Sequence, residues 1–516
     1  MRKLLAILQI FVLMAAMALP TAFAAEAPIM LAGLEAASSS SSTEAQHDWD
    51  TNLFFQTMQE KTGIAFSFTE YVSREAWTEA KTEMLAGEVA MPDMFFKAEL
   101  TPQETLAFYE AGKLIDLRPY LAEYAPHVWA LLEANPEWME AVSLPDGAIV
   151  ALPSINELTP NNTMWINKTW LDRLKMAVPT TAEELTEVLR QFRDRDMNQN
   201  GSRNDEIPLS FVSMWDLRFL AHAFGINADD YYLTEQNGKI SEVLTTEENR
   251  AFLTWLHELY TEGLLDSQGF MAMRLVEAAT SSSSSSSRET AKYGVFFGAT
   301  PQDVVGVNLA SEYIALDPLV YDGQLVYRDF TGDLYRGTFA ISSTCAEPEK
   351  LLQWVDYLYT DEGFLAAQVG KEGEDYDWND DGTWAYARTA EEVVAMQGTN
   401  TIWTTSMPSY ASAEIQMKMD DDATHALAAE LMRVRQWEKR AMPLLYLTQE
   451  QMNRVTELQS GISTYAETRM AWFVAGDVEL NDETWADFCT QVKALGIDEM
   501  VSIWQTACDN AWHLDK

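Results

Sequence analysis

LFFQTMQEKTGIAFSF, residues 53–68, contains the pattern that decides the fold. Apolar residues at positions 54, 55 and 58 have helical spacing, and Gly63 follows them as a residue that tolerates the left-handed end of a helix. Ile64, Phe66 and Phe68 then alternate with polar residues, which predicts a strand. A helix that leads directly into a strand is the repeating unit of an α/β fold.

The same alternation continues along the chain. Helical spacing predicts helices over 73–85, 103–111, 182–194, 245–260 and 348–358, and short apolar runs predict buried strands at 91–96, 293–297 and 338–342. The helix at 182 is preceded by Thr180 and Thr181, which resemble the start of a capping box. Strands separated by helices predict a largely parallel sheet covered on both faces.

Length and charge narrow the class of protein. The chain has 516 residues, enough for two or more folding units with their own cores. Its 79 acidic and 35 basic side chains give a formal net charge of −44. Such a surface repels phosphate backbones and anionic lipids, so we expect no nucleic-acid partner and no direct membrane binding. It also disfavours a highly anionic ligand unless cations intervene.

Residues 1–24 have the pattern of a secretory signal peptide. Two basic residues precede an apolar stretch over 4–19, and AFA at 22–24 is a small-x-small cleavage signal. No cysteine near this site is placed to carry a lipid anchor, and no later apolar run reaches the length needed to span a bilayer. We therefore expect a secreted protein that is associated with the cell surface.

Two other features concern linkers and cysteines. Residues 25–50 are small, polar and aperiodic, which predicts a flexible linker, and the serine runs at 38–42 and 281–287 carry no functional prediction. The chain has three cysteines, so they cannot all pair. Cys489 and Cys508 lie on separate helical patterns and either form a disulfide or remain buried thiols.

Several motifs in a fixed order carry a family resemblance. They are FFQTMQEKTGI at 54–64, GKLIDL at 112–117, ALP at 151–153, MWINKTWLD at 164–172, RGTFAI at 336–341 and WVDYLY at 354–359. Together they resemble the extracellular solute-binding proteins of family 1, the sugar-capturing receptors of ABC importers. The resemblance implies a two-lobed, periplasmic-binding-protein-like α/β fold of type II, in which each lobe is a sheet flanked by helices and a multi-strand hinge joins them.

The resemblance also implies where the chain crosses between lobes. We expect crossings just after 151–153, near 300–301 and over 336–340. One lobe then comprises 51–155 with 300–336, and the other comprises 156–299 with 337–516. This chain departs from many relatives by lacking the lipid-bearing cysteine.

The function implied by the resemblance is capture of a carbohydrate, expected to be an oligosaccharide, in the cleft between the lobes. The partners would be ABC permease subunits, and the protein would act as a monomer without catalysis. No zinc-binding His spacing, nucleophile elbow or phosphate-binding loop occurs in the sequence. The alternatives are a secreted carbohydrate-active hydrolase, whose paired carboxylates could hide among the many acidic residues, and a calcium-dependent adhesion module.

A loop at 196–206, DMNQNGSRNDE, matches the first half of a calcium-binding loop. Oxygen ligands at positions one, three and five converge, and glycine at position six permits the sharp turn. The usual glutamate at position twelve is replaced by Ile207, so a carboxylate at 205 or 206 must close the site, and which residue of 204–206 does so stays open. Related receptors carry a similar loop, which implies structural calcium; the alternative is a solvated turn. The predicted calcium ligands are Asp196, Asn198, Asn200, Ser202, Asp205 and Glu206.

A second acidic turn at 377–382 repeats part of this spacing, but its flanks alternate as strands and it contains Asp-Gly, which favours a hairpin.

Sugar sites combine aromatic rings, which cover the apolar face of the sugar, with polar side chains that bind its hydroxyl groups. Residues of these types near the expected crossings are candidates, with core packing as the alternative for each. The predicted ligand-binding residues are Asn156, Trp165, Asn167, Trp215, Asp216, Phe297, Tyr335, Arg336 and Trp403.

Overall fold

The computed structural model of the chain describes residues 27–32, 51–71, 74–270, 290–329, 332–396, 399–402 and 406–513. Its strands are β1 Ala27–Ala32, β2 Phe66–Tyr71, β3 Met94–Phe96, β4 Leu152–Asn156, β5 Thr163–Asn167, β6 Ile207–Leu209, β7 Leu233–Gln236, β8 Lys239–Glu242, β9 Tyr293–Gly298, β10 Tyr313–Ala315, β11 Tyr327–Asp329, β12 Leu334–Ile341, β13 Tyr376–Trp378, β14 Trp384–Tyr386, β15 Ser409–Ala411 and β16 Glu438–Arg440.

The helices, numbered in the same way, are α1 Leu53–Thr62, α2 Arg74–Ala86, α3 Pro102–Glu110, α4 Arg118–Tyr124, α5 Pro126–Ala134, α6 Pro136–Val142, α7 Lys168–Leu174, α8 Ala182–Asp194, α9 Met214–Leu217, α10 Glu247–Thr261, α11 Pro301–Val305, α12 Val307–Ala310, α13 Pro348–Asp356, α14 Asp361–Gln368, α15 Ala390–Met396, α16 Ala413–Met417, α17 Asp422–Arg435, α18 Gln449–Ala475, α19 Asp482–Ala494 and α20 Ile497–Asp509. Arg218–Phe224 and Tyr357–Tyr359 form 3₁₀ helices.

The first lobe is built on a six-stranded sheet with the order β15-β4-β12-β3-β1-β2. β1 pairs in parallel with β2 and β3, and β12 runs antiparallel between β3 and β4. One face packs Phe55 and Phe96 against Trp354, and the other packs Trp77 against Phe95. Both faces are therefore covered, as the alternating helices and strands predict.

Strand β1 corrects the predicted linker. Residues 27–32 lie within the segment 25–50 that the sequence assigns to a flexible linker, yet they form a strand between β2 and β3. The segment APIMLA is too short and too rich in small residues to stand out locally, and pairing with distant strands defines it. The rest of 25–50, the predicted signal peptide and the serine run at 281–287 lie outside the described residues.

The second lobe is built on a four-stranded sheet with the order β10-β5-β9-β6. β5 runs antiparallel to β9 and β10, and β6 runs parallel to β9. Helices α8, α10, α18 and α20 contribute buried side chains to one continuous core with this sheet. Trp170 and Phe192 meet edge to face inside it, with ring centroids 5.2 Å apart.

Three segments connect the lobes, at 157–162, 316–333 and 418–448, and they correct the predicted boundaries. β10 was predicted in the first lobe but pairs with β5 of the second. Most of 337–417, including the last five residues of β12, was predicted in the second lobe but belongs to the first. Thr300 does not begin a crossing but caps α11, and 336–340 lie inside β12. Local periodicity shows where strands are but not which sheet they join.

Most of the local predictions are confirmed. Gly63 ends α1 with φ of 71°, Thr181 caps α8 by accepting a hydrogen bond from the Glu184 N–H, and β13 and β14 form the predicted hairpin. Cys345, Cys489 and Cys508 are free thiols, so the disulfide alternative is not adopted in this structure. Within the described ranges, none of the helices combines the length and apolar character that a membrane crossing requires.

Candidate functional site

The three connecting segments are bonded side by side into a hinge. Asn161 Nδ2 donates to the Arg328 carbonyl oxygen at 2.8 Å and to Glu438 Oε1 at 3.1 Å. The buried Tyr327 hydroxyl donates to the Asn162 carbonyl oxygen at 3.0 Å, and β11 pairs with β16 in parallel. Two lobes joined by a few bonded segments have the geometry that permits rigid-body rotation.

One hinge carboxyl group titrates abnormally. Burial raises the pKa of Glu438 to about 7, and the neighbouring Asp329 carboxylate adds to the rise. The Asn161 hydrogen bond and the Arg435 guanidinium act in the opposite direction. Glu438 lies where the crossing segments contact each other, and in the folded protein its carboxyl group stays protonated over much of the acidic pH range.

The edges of the two sheets that face each other are the carboxyl ends of parallel strands. β4 ends at Asn156 and the chain then leaves the lobe, while β6 and β9 end at the loops 210–216 and 298–300. The carboxyl ends of strands in open α/β sheets are where ligands bind. We call the space between these edges the cleft.

Asp216 holds the loop after β6 against the first crossing segment. Its Oδ1 accepts a hydrogen bond from Asn162 Nδ2 at 3.0 Å, and its Oδ2 accepts one from the Val212 N–H at 2.7 Å. Burial raises the pKa of this carboxyl group, while the two hydrogen bonds act to lower it. Both oxygens are engaged, so Asp216 positions the loop 210–216 on the cleft edge.

Trp215 lies next to it in a cluster of aromatic rings and charges. Its indole N–H donates to Asp230 Oδ1 at 2.9 Å, and its ring meets Phe219 edge to face at 5.2 Å. The Arg328 guanidinium lies 5.6 Å from the Trp215 ring and donates to Asp230 at 2.6 Å. Sequence reasoning missed Arg328 and Asn162, because neither stands in a motif and only the crossing segments bring them to Trp215 and Asp216.

Tyr335 and Arg336 stand at the start of β12, where the pairing with β4 is irregular between Tyr335 and Phe339. The Tyr335 side chain is 46% exposed. The Arg336 guanidinium donates to the carbonyl oxygens of Ala141, Leu444 and Leu445 at 3.3–3.4 Å. Burial lowers the pKa of Arg336. Tyr335 is therefore exposed, whereas the guanidinium of Arg336 is engaged by backbone carbonyl groups.

A cavity of about 470 Å³ lies on the Arg336 side, and we call it the hinge cavity. Both lobes and the crossing segments line it, with the three carbonyl groups that bind Arg336 belonging to lining residues. Trp138, Leu334, Arg435, Arg440 and Trp512 are among the lining residues, and none of the predicted ligand residues is. The hinge cavity and the cleft are therefore two separate spaces between the lobes.

Two other predicted ligand residues lie at or near the cleft edge. Asn156 Oδ1 accepts hydrogen bonds from the Leu158 N–H and from Gln416 Nε2, each at 3.0 Å, and so shapes the turn into the first crossing. Phe297 is mostly buried in β9, with its ring 6.4 Å from that of Phe219. Trp403 lies outside the described residues.

Trp165 and Asn167 are structural, which corrects their assignment as ligand contacts. Trp165 is buried and its indole N–H donates to the Gly298 carbonyl oxygen at 3.0 Å. Asn167 is fully buried at the end of β5 that is distant from the hinge, and it caps α7 by accepting from the Trp170 N–H at 2.8 Å. Aromatic and amide residues in a strand cannot be assigned to a core or a cleft before the position of the strand is known.

The loop at 196–206 folds around its own oxygen atoms. Asp196 Oδ2 accepts from the Gly201 N–H at 2.9 Å, and Gly201 has φ of 89°, the left-handed turn that glycine permits. Asn198 Oδ1 and Asn200 Oδ1 accept backbone N–H bonds at 3.0 Å and 2.8 Å. We call this segment the cation loop.

Two carboxylate oxygen atoms in the cation loop are buried without a hydrogen-bond partner, Asp205 Oδ1 and Glu206 Oε2. The other oxygen of each accepts bonds inside the loop, from Asn198 and Asn200 to Asp205 and from the Met197 N–H to Glu206. Hydrogen bonds from Ser202, Asn200 and Asn198 lower the pKa of Asp205. Buried carboxylate oxygens are costly to leave unpaired, so the donor set fits a hard cation.

Within the described ranges, no three His, Cys, Asp or Glu side chains gather as a metal site. Asp196, Asp205 and Glu206 therefore do not converge as a set of three carboxylates in this structure, and amide and backbone oxygen atoms, which are common ligands of calcium, would have to complete the site. The cation loop therefore depends on mixed ligands, and it is the two unpaired carboxylate oxygens that distinguish it from an ordinary polar turn.

The chain is similar to a transport protein over most of its length. It is 24% identical over 504 residues to the fructooligosaccharide ABC transporter substrate-binding protein FusA of Streptococcus pneumoniae serotype 4, covering 91% of this chain and 89% of FusA. It is 30% identical over 164 residues, 30% of each chain, to lipoprotein LipO of Bacillus subtilis. No protein-family model matches.

Solved structures show the same fold. An HMO-binding, ABC-transporter-associated solute-binding protein from Bifidobacterium longum infantis aligns with a TM-score of 0.73 at 22% identity, over 94% of this chain and 98% of the other. FusA of S. pneumoniae in complex with kestose aligns with a TM-score of 0.65 at 22% identity, over 94% and 99%. An EF-hand mutant of FusA has also been solved. The predicted resemblance to ABC solute-binding proteins and the two-lobed α/β fold are confirmed.

Proposed function

We propose that this chain is the solute-binding component of an ABC importer and that it captures a carbohydrate in the cleft and releases it unchanged. The observation that carries the proposal is the pairing of two sheet-centred lobes, joined by three bonded segments, with the ligand-binding edges of both sheets facing each other. Similarity to FusA over 91% of the chain supports a carbohydrate as the guest.

The cleft edge has the side chains that bind a neutral sugar. Tyr335 and Trp215 supply aromatic surface for the apolar face of a sugar ring, and Asn156 supplies an amide group at the first crossing. Asp216 acts indirectly, because it holds the loop that carries Trp215. The strongly acidic surface favours a neutral oligosaccharide over an anionic one.

Capture then proceeds by closure. The guest enters the open cleft, the lobes rotate about the three crossing segments, and groups from both lobes enclose it. Closure changes the outer shape of the protein, so permease subunits can distinguish loaded from empty molecules by differential binding. ATP hydrolysis takes place on other subunits of the importer.

The same proposal predicts where the protein acts. A cleaved signal peptide at 1–24 would deliver the chain to the cell exterior, where it acts as a monomer beside its permease.

The cation loop is proposed to hold structural calcium. Asp205 and Glu206 would close the site with their unpaired oxygens, and Asp196, Asn198 and Asn200 would supply side-chain oxygens, with the Ser202 backbone carbonyl. An EF-hand is present in FusA, as its mutant shows. Calcium there would cross-link the loop after α8 and take no part in sugar binding.

A thermal-shift screen with product analysis tests the function. The protein is heated with kestose, nystose and a panel of neutral and acidic oligosaccharides, with short peptides as the control class. A guest that binds only the folded state raises Tm, and chromatography of the same samples shows whether the sugar is intact. A raised Tm with intact sugar supports capture, and shortened sugar supports the hydrolase alternative. A panel that leaves Tm unchanged except with peptides would reject carbohydrate as the guest.

A further inference from the structure

The segment Asn510–His513, which we call the strap, leaves one lobe and docks on the other. Helix α20 packs its buried face, including Trp504 and Ala507, into the core of the second lobe. Ala511 still packs against that core, but Trp512 packs against the core of the first lobe. The strap therefore contacts both lobes and lies outside the three crossing segments.

Trp512 is held on the first lobe by a specific arrangement. The Arg118 guanidinium lies 4.4 Å from the centre of its ring and donates to the Gly147 carbonyl oxygen at 2.5 Å and to Ser143 Oγ at 2.6 Å. The indole covers Gly147 so closely that a Cβ atom there would lie 2.9 Å from Nε1. A cation over the face of an indole is an attractive contact, and more so when it is partly desolvated.

The strap is too short to span a wider gap between the lobes. Ala511 contacts one lobe and Trp512 contacts the other, and the Cα atoms of consecutive residues are about 3.8 Å apart. A rotation that separates the lobes at this point by more than a few Å must pull Trp512 off Arg118 or unwind the end of α20.

The strap and the cleft lie on opposite sides of the hinge. Trp512 lines the hinge cavity together with the residues whose carbonyl groups bind Arg336, whereas the exposed Tyr335 is not among the lining residues. The hinge lies between these two sides. A rotation about the hinge that brings the lobes together on the Tyr335 side therefore separates them on the Arg336 side. Cleft closure and the docking of Trp512 are thus in conflict.

We propose that the strap stabilises the open arrangement of the lobes and that Trp512 must yield before the cleft closes. The proposal rests on the proposed function only in that closure is the motion that the strap opposes. A contact that favours the open state lowers the population of closed molecules, so residues outside the cleft would set the apparent affinity for the guest.

The test measures the distance between lobes without any ligand. Spin labels are placed at Glu75→Cys, near the start of α2 after β2, and at Val307→Cys, on α12 after β9, in a chain with Cys345, Cys489 and Cys508 changed to Ser. Both label sites are exposed and follow carboxyl ends of strands at the cleft. Pulsed electron–electron resonance then gives the distribution of distances across the cleft mouth.

Trp512→Ala is compared with two variants. Trp512→Phe keeps a ring over Arg118, and Trp472→Ala removes a tryptophan that is 44% exposed on α18 of the second lobe. For Trp512→Ala we expect the ratio of short to long distances to rise about three- to tenfold, the size of a cation–π contact. Trp512→Phe should recover most of the change, and Trp472→Ala should match the unsubstituted chain.

A distribution for Trp512→Ala that matches the unsubstituted chain, or that moves to longer distances, would overturn the proposal. Because no sugar is present, either result concerns the strap alone, whereas a failed sugar screen concerns the proposed function alone. Circular dichroism of each variant shows whether it is folded, and Trp512→Phe provides the second reading if the alanine variant unfolds.

Discussion

The two faces of β12 at the hinge differ in chemistry, although the residues that define them are adjacent in sequence. Tyr335 presents an aromatic side chain that is 46% exposed on the cleft side. Arg336 lies on the other side with its guanidinium bonded to three backbone carbonyl groups, next to the hinge cavity and the strap. One face is available to a guest, and the other holds the lobes to each other.

This difference shows how one short strand can serve both binding and mechanics. The pairing of β12 with β4 is irregular between Tyr335 and Phe339, and the two neighbouring side chains enter different environments. The start of this one strand therefore separates the cleft from the hinge cavity. A substitution on the Arg336 face should change stability and lobe orientation, while one on the Tyr335 face should change affinity. The following predictions test that division, beginning with the largest effect.

Arg336→Met should destabilise the protein by about 2 to 4 kcal/mol, because three carbonyl groups lose their donor in a buried place. Tyr335→Ala should change the free energy of unfolding by less than about 1 kcal/mol, as exposed positions usually do. Urea denaturation of the two variants gives both values. Equal losses would mean that the faces of β12 do not differ as described.

Removal of calcium should lower stability by about 2 to 3 kcal/mol, the value for a ligand present at roughly 100 times its Kd. EDTA should have this effect on the unsubstituted chain and almost none on a variant with Asp205→Asn and Glu206→Gln. The matched control is Asp380→Asn, in the acidic turn of the β13–β14 hairpin, which should respond to EDTA like the unsubstituted chain. Sugar affinity should be unchanged by EDTA, since the cation loop touches neither face of β12.

Tyr335→Ala should weaken binding of the best sugar about tenfold, because an aromatic ring buried by a ligand typically contributes on the order of 1 to 2 kcal/mol. Isothermal calorimetry measures the change, and Tyr335→Phe should retain most of the affinity. Trp378, which is 40% exposed on the β13–β14 hairpin, provides the control, and Trp378→Ala should bind normally. If Tyr335→Ala binds the sugar as tightly as the unsubstituted chain, Tyr335 is not part of the sugar site.

The smallest effect should be a dependence of stability on pH from Glu438. Its pKa is about 7 in the folded protein and near 4.5 when unfolded, so the folded state holds more protons between these values. Stability should therefore fall as pH rises from about 5 to about 7.5, and then level off. Glu438→Gln should flatten this part of the curve, measured as urea midpoints at each pH. If the stability of the variant falls with pH as steeply as that of the unsubstituted chain, a group other than Glu438 causes the pH dependence.

The fold could be predicted to the extent that it is local. Helical spacing at 53–62 and 182–194, the caps at Gly63 and Thr181, and the hairpin at 376–386 all depend on neighbouring residues, and each is confirmed. Lobe membership depends on which distant strand becomes a partner. For that reason β10 and most of β12 were exchanged between lobes, and β1 was hidden in a predicted linker.

The candidate site follows the same rule. The cation loop is one continuous segment, so its composition and its glycine were visible in the sequence, and the structure adds that Asp205 and Glu206 have the unpaired oxygen atoms. The cleft is assembled from segments that are distant in sequence. Trp215 and Asp216 were found by residue type, but Arg328 and Asn162 come to them only through the hinge, and Trp165 and Asn167 of the right type are buried elsewhere.

The central claim is that two lobes rotate about the hinge to enclose a sugar. Small-angle X-ray scattering of the protein, with and without the sugar that raises Tm most, measures this rotation directly. We expect the radius of gyration to decrease on saturation and to return when the sugar is removed by dialysis. A bound sugar that leaves the scattering curve unchanged would contradict closure and would indicate a rigid binding module.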